Sequence, residues 1–165
     1  MFKYVFIYLL PFFLNSSPVE KVRQQFPYIN SFDECVKFEE LLQAETSVDA
    51  QAYSAAMVLM KSKFVKSVIK KYSYFKKGKN QLDQIINEHP KNVEFRYIRY
   101  GFQKNIPSFL GYNNNIDEDF KLFSEGILPS GFPKSYKKKM LTNLLDLKNN
   151  SEKQKQKLNL LYNKL

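Results

Sequence analysis

The chain has very little of the side-chain chemistry from which most catalytic and metal sites are built. One cysteine and one histidine occur among its 165 residues, so an intramolecular disulfide and a histidine-based metal shell are both excluded. The sequence also lacks GxGxxG, a phosphate-binding loop and GxSxG. We therefore expect a protein that is not an enzyme, with no cofactor and no metal site.

A dyad of Cys35 and His89 is the one formal nucleophile–base alternative. Both residues lie in segments whose apolar spacing already accounts for them. Cys35 falls on the apolar stripe of SFDECVKFEELLQ, where burial would raise the thiol pKa and make it unreactive. His89 precedes Pro90 at the predicted end of a helix, where a cationic side chain suits the helix dipole.

Long apolar runs are rare, and the clearest one opens the chain as MFKYVFIYLLPFFLNSS. A cationic Lys3, a short apolar run and small polar residues after it resemble a secretory signal peptide. We expect a signal peptide over residues 1–17 and an exported protein, periplasmic or secreted. Pro18 disfavours a cut after Ser17, which makes a cut after Ser16 the better site. A buried N-terminal strand is the alternative.

Glycine and proline are scarce, at 5 and 7 residues, and 44% of the chain is hydrophobic. This composition predicts one domain with a sizeable core, over residues 18–165. Apolar side chains recur at helical spacing throughout, which predicts an all-α, single-domain bundle of about six to eight helices. The expected helical segments are 31–43, 48–64, 71–89, 92–107, 115–126, 133–147 and 151–165.

Four positions in the 71–89 segment and just after it carry a family resemblance. Small, large, small and proline positions at Gly78, Leu82, Ile85 and Pro90 are similar to the second helix of a tetratricopeptide (TPR) repeat. Ile85 is larger than the usual alanine, and Lys66 stands where the preceding helix of a repeat has glycine. The resemblance implies TPR-like helical hairpins and a groove that binds a polypeptide segment.

The stretch YFKKGKNQLDQIINEHPKNVEFRYIRY, followed by FLGY, supplies a second resemblance. It resembles a group of short, exported, uncharacterised helical proteins of flavobacteria type. That resemblance covers the middle half of the chain and implies export and a helical fold, with no assigned activity.

Candidate binding residues cluster after Pro90. They are two arginines, a glutamine and two tyrosines: Arg96, Arg99, Gln103, Tyr100 and Tyr112. The arginines can grip a carboxylate of a partner peptide in bidentate fashion, with tyrosine stacking beside them. Alternatively they pair within the chain with the acids at 117–119 and lock the loop around Gly111.

The loop after Tyr112 has some features of a calcium loop. Oxygen-bearing side chains alternate there, at Asn113, Asn115, Asp117 and Asp119. Glu118 stands where the loop needs glycine, and Ser124 stands where a bidentate glutamate should close the shell. We expect instead that Asn115 caps a helix and that Glu118 completes a capping box.

Acidic residues are outnumbered 16 to 26 by Lys and Arg, which gives a net charge of +10. Lys137, Lys138 and Lys139 are expected to point outward, together with Lys153, Lys155, Lys157 and Lys164 of the last segment. Without interleaved arginines or aromatic residues, this face does not favour nucleic acid.

Two classes of function follow from the sequence. The first is an exported, non-enzymatic, TPR-like protein–protein interaction or scaffold module with a protein or peptide partner. The alternative is a basic module whose C-terminal helices attach to an anionic polymer or membrane surface. Binding that is lost at higher salt would favour the alternative, and salt-independent capture that needs Arg96 or Arg99 would favour the first. The sequence makes no prediction about oligomeric state.

Overall fold

The computed structural model describes residues 16–165, so most of the expected signal peptide (1–17) lies outside the described residues and stays a prediction. Within that part of the chain there are eight α-helices and no strand, which confirms the predicted all-α fold of six to eight helices in a single domain. The helices are α1 Pro18–Gln25, α2 Phe32–Leu42, α3 Val48–Phe64, α4 Val68–Glu88, α5 Val93–Asn105, α6 Ile116–Gly126, α7 Lys134–Leu145 and α8 Glu152–Asn163, with a 3-10 turn at Ser108–Leu110.

The α3–α4 hairpin is the most closely packed part of the fold. A Cβ atom built on Gly78 would lie 2.6 Å from the backbone nitrogen of Leu59 and 2.8 Å from the carbonyl oxygen of Ala55. Since real Cβ atoms do not approach other atoms so closely, only glycine allows these two helices to meet at this distance. Ala52 and Ala56 of α3 are also buried, and their small side chains allow neighbouring helices to approach closely.

Helix α4 buries one stripe of apolar and small residues. The buried residues of this helix are Phe75, Gly78, Leu82, Ile85 and Ile86. The helix ends at Glu88, with His89 as its C-cap, because Pro90 cannot continue the backbone hydrogen bonds. Pro90 itself is exposed.

Helix α5 forms the centre of the bundle and packs against α4, α6 and α7. Asn92 begins it as predicted, since its side chain accepts hydrogen bonds from the backbone N–H groups of Glu94 and Phe95. A run of buried residues follows, from Glu94 to Tyr100. Both the apolar and the polar face of α5 are therefore covered by neighbouring helices.

The cap predicted for α6 differs from the structure, and α2 has only half of a capping box. The Ser31 hydroxyl accepts from the backbone N–H of Glu34, but the Glu34 carboxylate accepts from the backbone N–H of Asn30 instead of completing a box. The Asn115 side chain does not cap α6 and instead donates to the Glu118 carboxylate. The dipole of α6 is met by acidic residues in its first turn.

Cys35 is fully buried, as predicted, and burial raises the pKa of its thiol to about 11. A thiol with that pKa is almost entirely protonated near neutral pH, so it is a poor nucleophile. His89 lies outside the core, with its ring edge-on to Phe95.

We predict that Gly78→Ala destabilises the protein by about 1–3 kcal/mol, because the new methyl group must displace backbone atoms of α3. Gly101 supplies a matched control, since a Cβ atom there meets nothing within 4 Å. Gly101→Ala should stabilise the chain by about 0.5–1 kcal/mol through helix propensity alone. Urea unfolding followed by far-UV circular dichroism measures both changes, and equal effects at the two glycines would contradict the close packing.

Candidate functional site

The two arginines singled out in the sequence are buried, with 4% of Arg96 and 3% of Arg99 exposed. Both bind the carboxylate of Asp119 on α6, which is fully buried. Arg96 Nη1 lies 2.7 Å from Asp119 Oδ1, and Arg99 holds the same group through Nε at 2.7 Å and Nη2 at 2.8 Å. Of the two arrangements considered from the sequence, the structure has the one in which the arginines pair within the chain.

The remaining donors of Arg96 and Arg99 are also used. Arg96 Nε and Nη2 donate to the carbonyl oxygen of Pro90 at 3.0 and 2.8 Å, and its Nη2 lies 3.4 Å from Glu118. Arg99 Nη1 lies 3.1 Å from Asp83 on α4. We call Arg96, Arg99, Asp119 and Asp83 the ionic clamp; it joins α4, α5 and α6. Gripping a partner carboxylate would require this clamp to open, and that role stays a prediction.

The other three predicted binding residues lie beside the clamp and are buried as well. Tyr100 donates to Asn150 at 2.7 Å, which ties α5 to the segment before α8, and Tyr112 donates to Asp83 at 3.3 Å. Gln103 is 3% exposed, and both polar atoms of its amide lack a hydrogen-bond partner among the described residues. The structure therefore brings the predicted residues together, in the interior of the bundle.

The candidate calcium loop is excluded as a ligand shell by the same contacts. Both oxygens of Asp119 accept hydrogen bonds from arginines, so they are not free to bind a cation. Among residues 16–165 no three His, Cys, Asp or Glu side chains are grouped so that they could hold a metal ion.

A second buried ionic group was not foreseen from the sequence. The Glu94 side chain is fully buried and accepts from Arg23 Nε at 2.7 Å, from the Tyr53 hydroxyl at 2.8 Å and from Tyr136. Arg23 reaches Asp49 as well, at 2.8 Å. Arg23 and Glu94 are 71 residues apart, and no local spacing pattern relates them. This group fastens α1 to α3, α5 and α7.

A large apolar groove opens on the side of α5 that faces away from the clamp. Its volume is about 830 Å³. Apolar side chains from five segments form most of its wall: Phe26 and Pro27; Leu59 and Met60; Val68 and Phe75; Tyr97 and Phe102; Leu144 and Leu147. Gly101 also lines the groove, and the missing side chain at this position leaves space there.

Most of the uncharged polar side chains in the groove wall already have a hydrogen-bond partner within the chain. Asn143 donates to the Tyr97 hydroxyl at 2.7 Å, Asn105 donates to the carbonyl oxygen of Gly101 at 2.8 Å, and Ser62 donates to that of Leu59 at 2.7 Å. The Tyr28 hydroxyl donates to the carboxylate of Asp146 at 2.9 Å. Among the described residues, Asp146 is the only acidic residue that lines the groove, so this hydrogen bond engages its one carboxylate. The groove therefore offers apolar surface and few free hydrogen-bonding groups.

Two lysines, Lys63 and Lys71, also line this groove. Both are exposed, and neither forms an ion pair with another residue in the range 16–165. They place positive charge beside the apolar wall.

Comparisons of the chain with protein-family models, curated proteins and solved structures found no match. The fold and the site define a class, an all-α protein in which buried ion pairs brace one face of a central helix and an apolar groove opens on the other. No helix within residues 16–165 is long and apolar enough to cross a bilayer.

The burial of several tyrosines predicts that the protein loses stability steeply at alkaline pH. Burial, aided in Tyr53 and Tyr136 by the Glu94 charge, raises the tyrosine pKa values at five positions: Tyr53, Tyr97, Tyr100, Tyr112 and Tyr136. Because the folded-state pKa values lie above the unfolded value near 10, the contribution of these tyrosines is fully present below about pH 10. Above about pH 10, each of these tyrosines lowers the free energy of unfolding by about 1.4 kcal/mol per pH unit, because it ionises only in the unfolded chain.

Urea unfolding at a series of pH values between about 8 and 11 measures this loss, with tyrosinate absorbance recorded on the same samples. These five tyrosines should ionise only as the helical signal disappears. Their ionisation while the circular dichroism spectrum is still native would contradict their burial.

Proposed function

We propose that this chain is an exported, non-enzymatic helical protein of TPR-like kind, a protein–protein interaction or scaffold module whose apolar groove captures an amphipathic helical segment of a partner protein. The observation that carries this proposal is the groove itself, with its volume of about 830 Å³. That volume lies in the upper part of the range of about 300–1,000 Å³ for ligand clefts. Each partner side chain that it fully buries would contribute about 1.5–3 kcal/mol.

The chemistry of the wall supports a helix as the occupant over a polar metabolite. A polar substrate needs polar groups without a hydrogen-bond partner to orient it, whereas most uncharged polar side chains of the wall already have a partner within the chain. An amphipathic helix presents its apolar side chains as one stripe and needs only apolar burial from the groove. Lys63 and Lys71 favour a helix with acidic residues flanking that stripe.

The TPR-like hairpin gives the proposal limited further support. Gly78 acts as the small position that such a helix uses for close packing, and Leu82 is fully buried beside it. In helical repeat proteins, hairpins packed in this way form the walls of extended binding surfaces.

Gly101→Leu tests the groove directly. The leucine side chain would project into the groove from a position where a Cβ atom meets nothing within 4 Å, and it would raise helix propensity by about 1 kcal/mol. The probe is a display library of amphipathic helical peptides, selected on the wild-type chain and then measured in solution. We expect selected peptides to carry apolar residues at helical spacing with acidic flanks, and to bind Gly101→Leu at least about tenfold more weakly.

Gly131→Leu is the matched control. Gly131 also has open space around it and lies outside the groove lining, so peptide affinity should stay at the wild-type value. Equal affinity of the selected peptides for the wild type and for Gly101→Leu would overturn the proposal.

Export is supported by the N-terminal sequence, and the way α1 begins bears on where the signal peptide would be cut. The Ser17 hydroxyl accepts from the backbone N–H of Glu20 at 3.2 Å and caps the helix. A cut after Ser16 would keep this cap, whereas a cut after Ser17 would remove it at a cost of about 1 kcal/mol. Protein isolated from cells should therefore begin at Ser17, and a mass that includes Met1 would contradict export.

Attachment of the C-terminal helices to an anionic polymer or membrane is the second candidate function. Lys153, Lys157 and Lys164 are exposed, which supports it. Lys137, expected to point outward, is instead buried and donates to the carbonyl oxygen of Leu128, so α7 offers less free charge than predicted. Binding to anionic vesicles that falls when Lys153 and Lys157 become glutamine would support this function, and unchanged binding would exclude it.

A further inference from the structure

Three large apolar side chains in or next to the groove lining protrude into solvent. Val68 is 79% exposed, Ile69 is 82% exposed and Phe109 is 84% exposed. Val68 and Phe109 line the same groove, and Ile69 follows Val68 in the chain. We call these three residues the apolar tip. Exposed apolar residues are ordinary when scattered singly, but a group of them marks an interaction surface.

Lysines that have no ion-pair partner among the described residues flank Val68 and Ile69 in the chain. Lys63, Lys66, Lys70 and Lys71 are exposed, and none forms an ion pair with another described residue. No aspartate or glutamate occurs in residues 50–82, whereas eight lysines do. The sequence-based expectation put the excess charge in the C-terminal helices, where Asp146 and Glu152 interrupt it.

Two of these lysines lie on α4, and their position there is a separate observation. Lys70 and Lys71 lie in the first turn of the helix, where no acidic residue is present. The N-terminal end of a helix carries a partial positive charge, so lysines there are unfavourable in the free protein. An external anion near this turn would remove the penalty.

We propose that the apolar tip and the lysines around it dock the protein on the surface of an anionic lipid bilayer. A bilayer interface takes both parts of this surface at once, because apolar side chains enter the acyl boundary while lysines stay at the level of anionic headgroups. Tyr72, which is 55% exposed and lines the groove mouth, is of the type enriched at that interface. Nucleic acid would satisfy the lysines and leave the aliphatic side chains in water.

Vesicle partitioning tests the electrostatic half of the proposal. The chain, in the form that cells produce, is mixed with phosphatidylcholine vesicles with and without phosphatidylglycerol. The wild type should prefer the anionic vesicles, and the preference should weaken as salt rises. Because each lysine at such a surface contributes about a fivefold change in partition, Lys66→Gln with Lys70→Gln should lower the preference by about 30-fold.

A control of equal charge is available on α8. Lys153 and Lys157 are exposed too, so Lys153→Gln with Lys157→Gln changes the net charge equally but should leave the preference nearly unchanged. A loss as large as that of the Lys66 and Lys70 pair would overturn the proposal, as would a wild type that shows no preference for anionic vesicles.

Ile69→Ser with Phe109→Ser tests the apolar half, and Leu160→Ser on α8 is its control because Leu160 is 51% exposed. The first variant should lose at least about tenfold in partition and the second almost nothing. Sedimentation velocity tests the competing possibility that the apolar tip binds a second copy of the chain. A wild-type dimer that becomes monomeric in Ile69→Ser with Phe109→Ser would overturn the bilayer proposal.

Membrane docking does not rest on capture of a helix by the groove. Ile69, Lys66 and Lys70 do not line the groove, so Ile69→Ser alone and Lys66→Gln with Lys70→Gln should leave peptide affinity unchanged; Phe109 lines the groove, so the double serine variant is not used for this comparison. Gly101→Leu should in turn leave vesicle partitioning unchanged. Failure of one proposal can thus be told apart from failure of the other.

Discussion

The arrangement of the helices depends on the buried carboxylate of Asp119, which binds two buried guanidinium groups. Arg96 and Arg99 reach it from α5, and Arg99 also reaches Asp83 on α4. Taking such charges out of water is costly, so the net gain in stability is small even when the geometry is good. Removing one partner is far more damaging, because the remaining charge is left buried without compensation. The ionic clamp therefore specifies how α4, α5 and α6 must meet.

This constraint reaches the groove through the periodicity of α5. Arg96, Arg99 and Gln103 share one face of the helix, and Tyr97, Gly101 and Asn105 share the opposite face, which lines the groove. A helix held on one side by ion pairs presents a fixed surface on the other. Close packing at Gly78 fixes α3 against α4 in the opposite wall. The groove mouth and the apolar tip share Val68 and Phe109, so a bilayer bound at the tip would lie beside the groove.

Local sequence patterns predicted most of the helices. They missed one short helix and the features that depend on contacts between residues far apart in the chain. The buried stripe of α4 and the Asn92 cap depend on residues three or four positions apart, which the sequence displays. Helix α1 is only 8 residues long and too short for a clear apolar period. The contact of Arg23 with Glu94 joins positions 71 residues apart, and the groove is assembled from five separate segments. The acids at 117–119 were predicted as partners of the arginines. The sequence could not show which of the three would bind both Arg96 and Arg99, and in the structure it is Asp119.

The free energies of unfolding of three single variants test the role of Asp119 most directly. Asp119→Asn removes the carboxylate that both arginines share and leaves Arg96 with only the exposed Glu118 and Arg99 with only Asp83 as counter-charges. Arg96→Met or Arg99→Met, by contrast, leaves the carboxylate with one arginine still bound. The account predicts that Asp119→Asn is the most damaging of the three, at about 3–5 kcal/mol or with complete loss of folding. An Asp119→Asn protein within about 0.5 kcal/mol of the wild type, the range of ordinary surface substitutions, would contradict it.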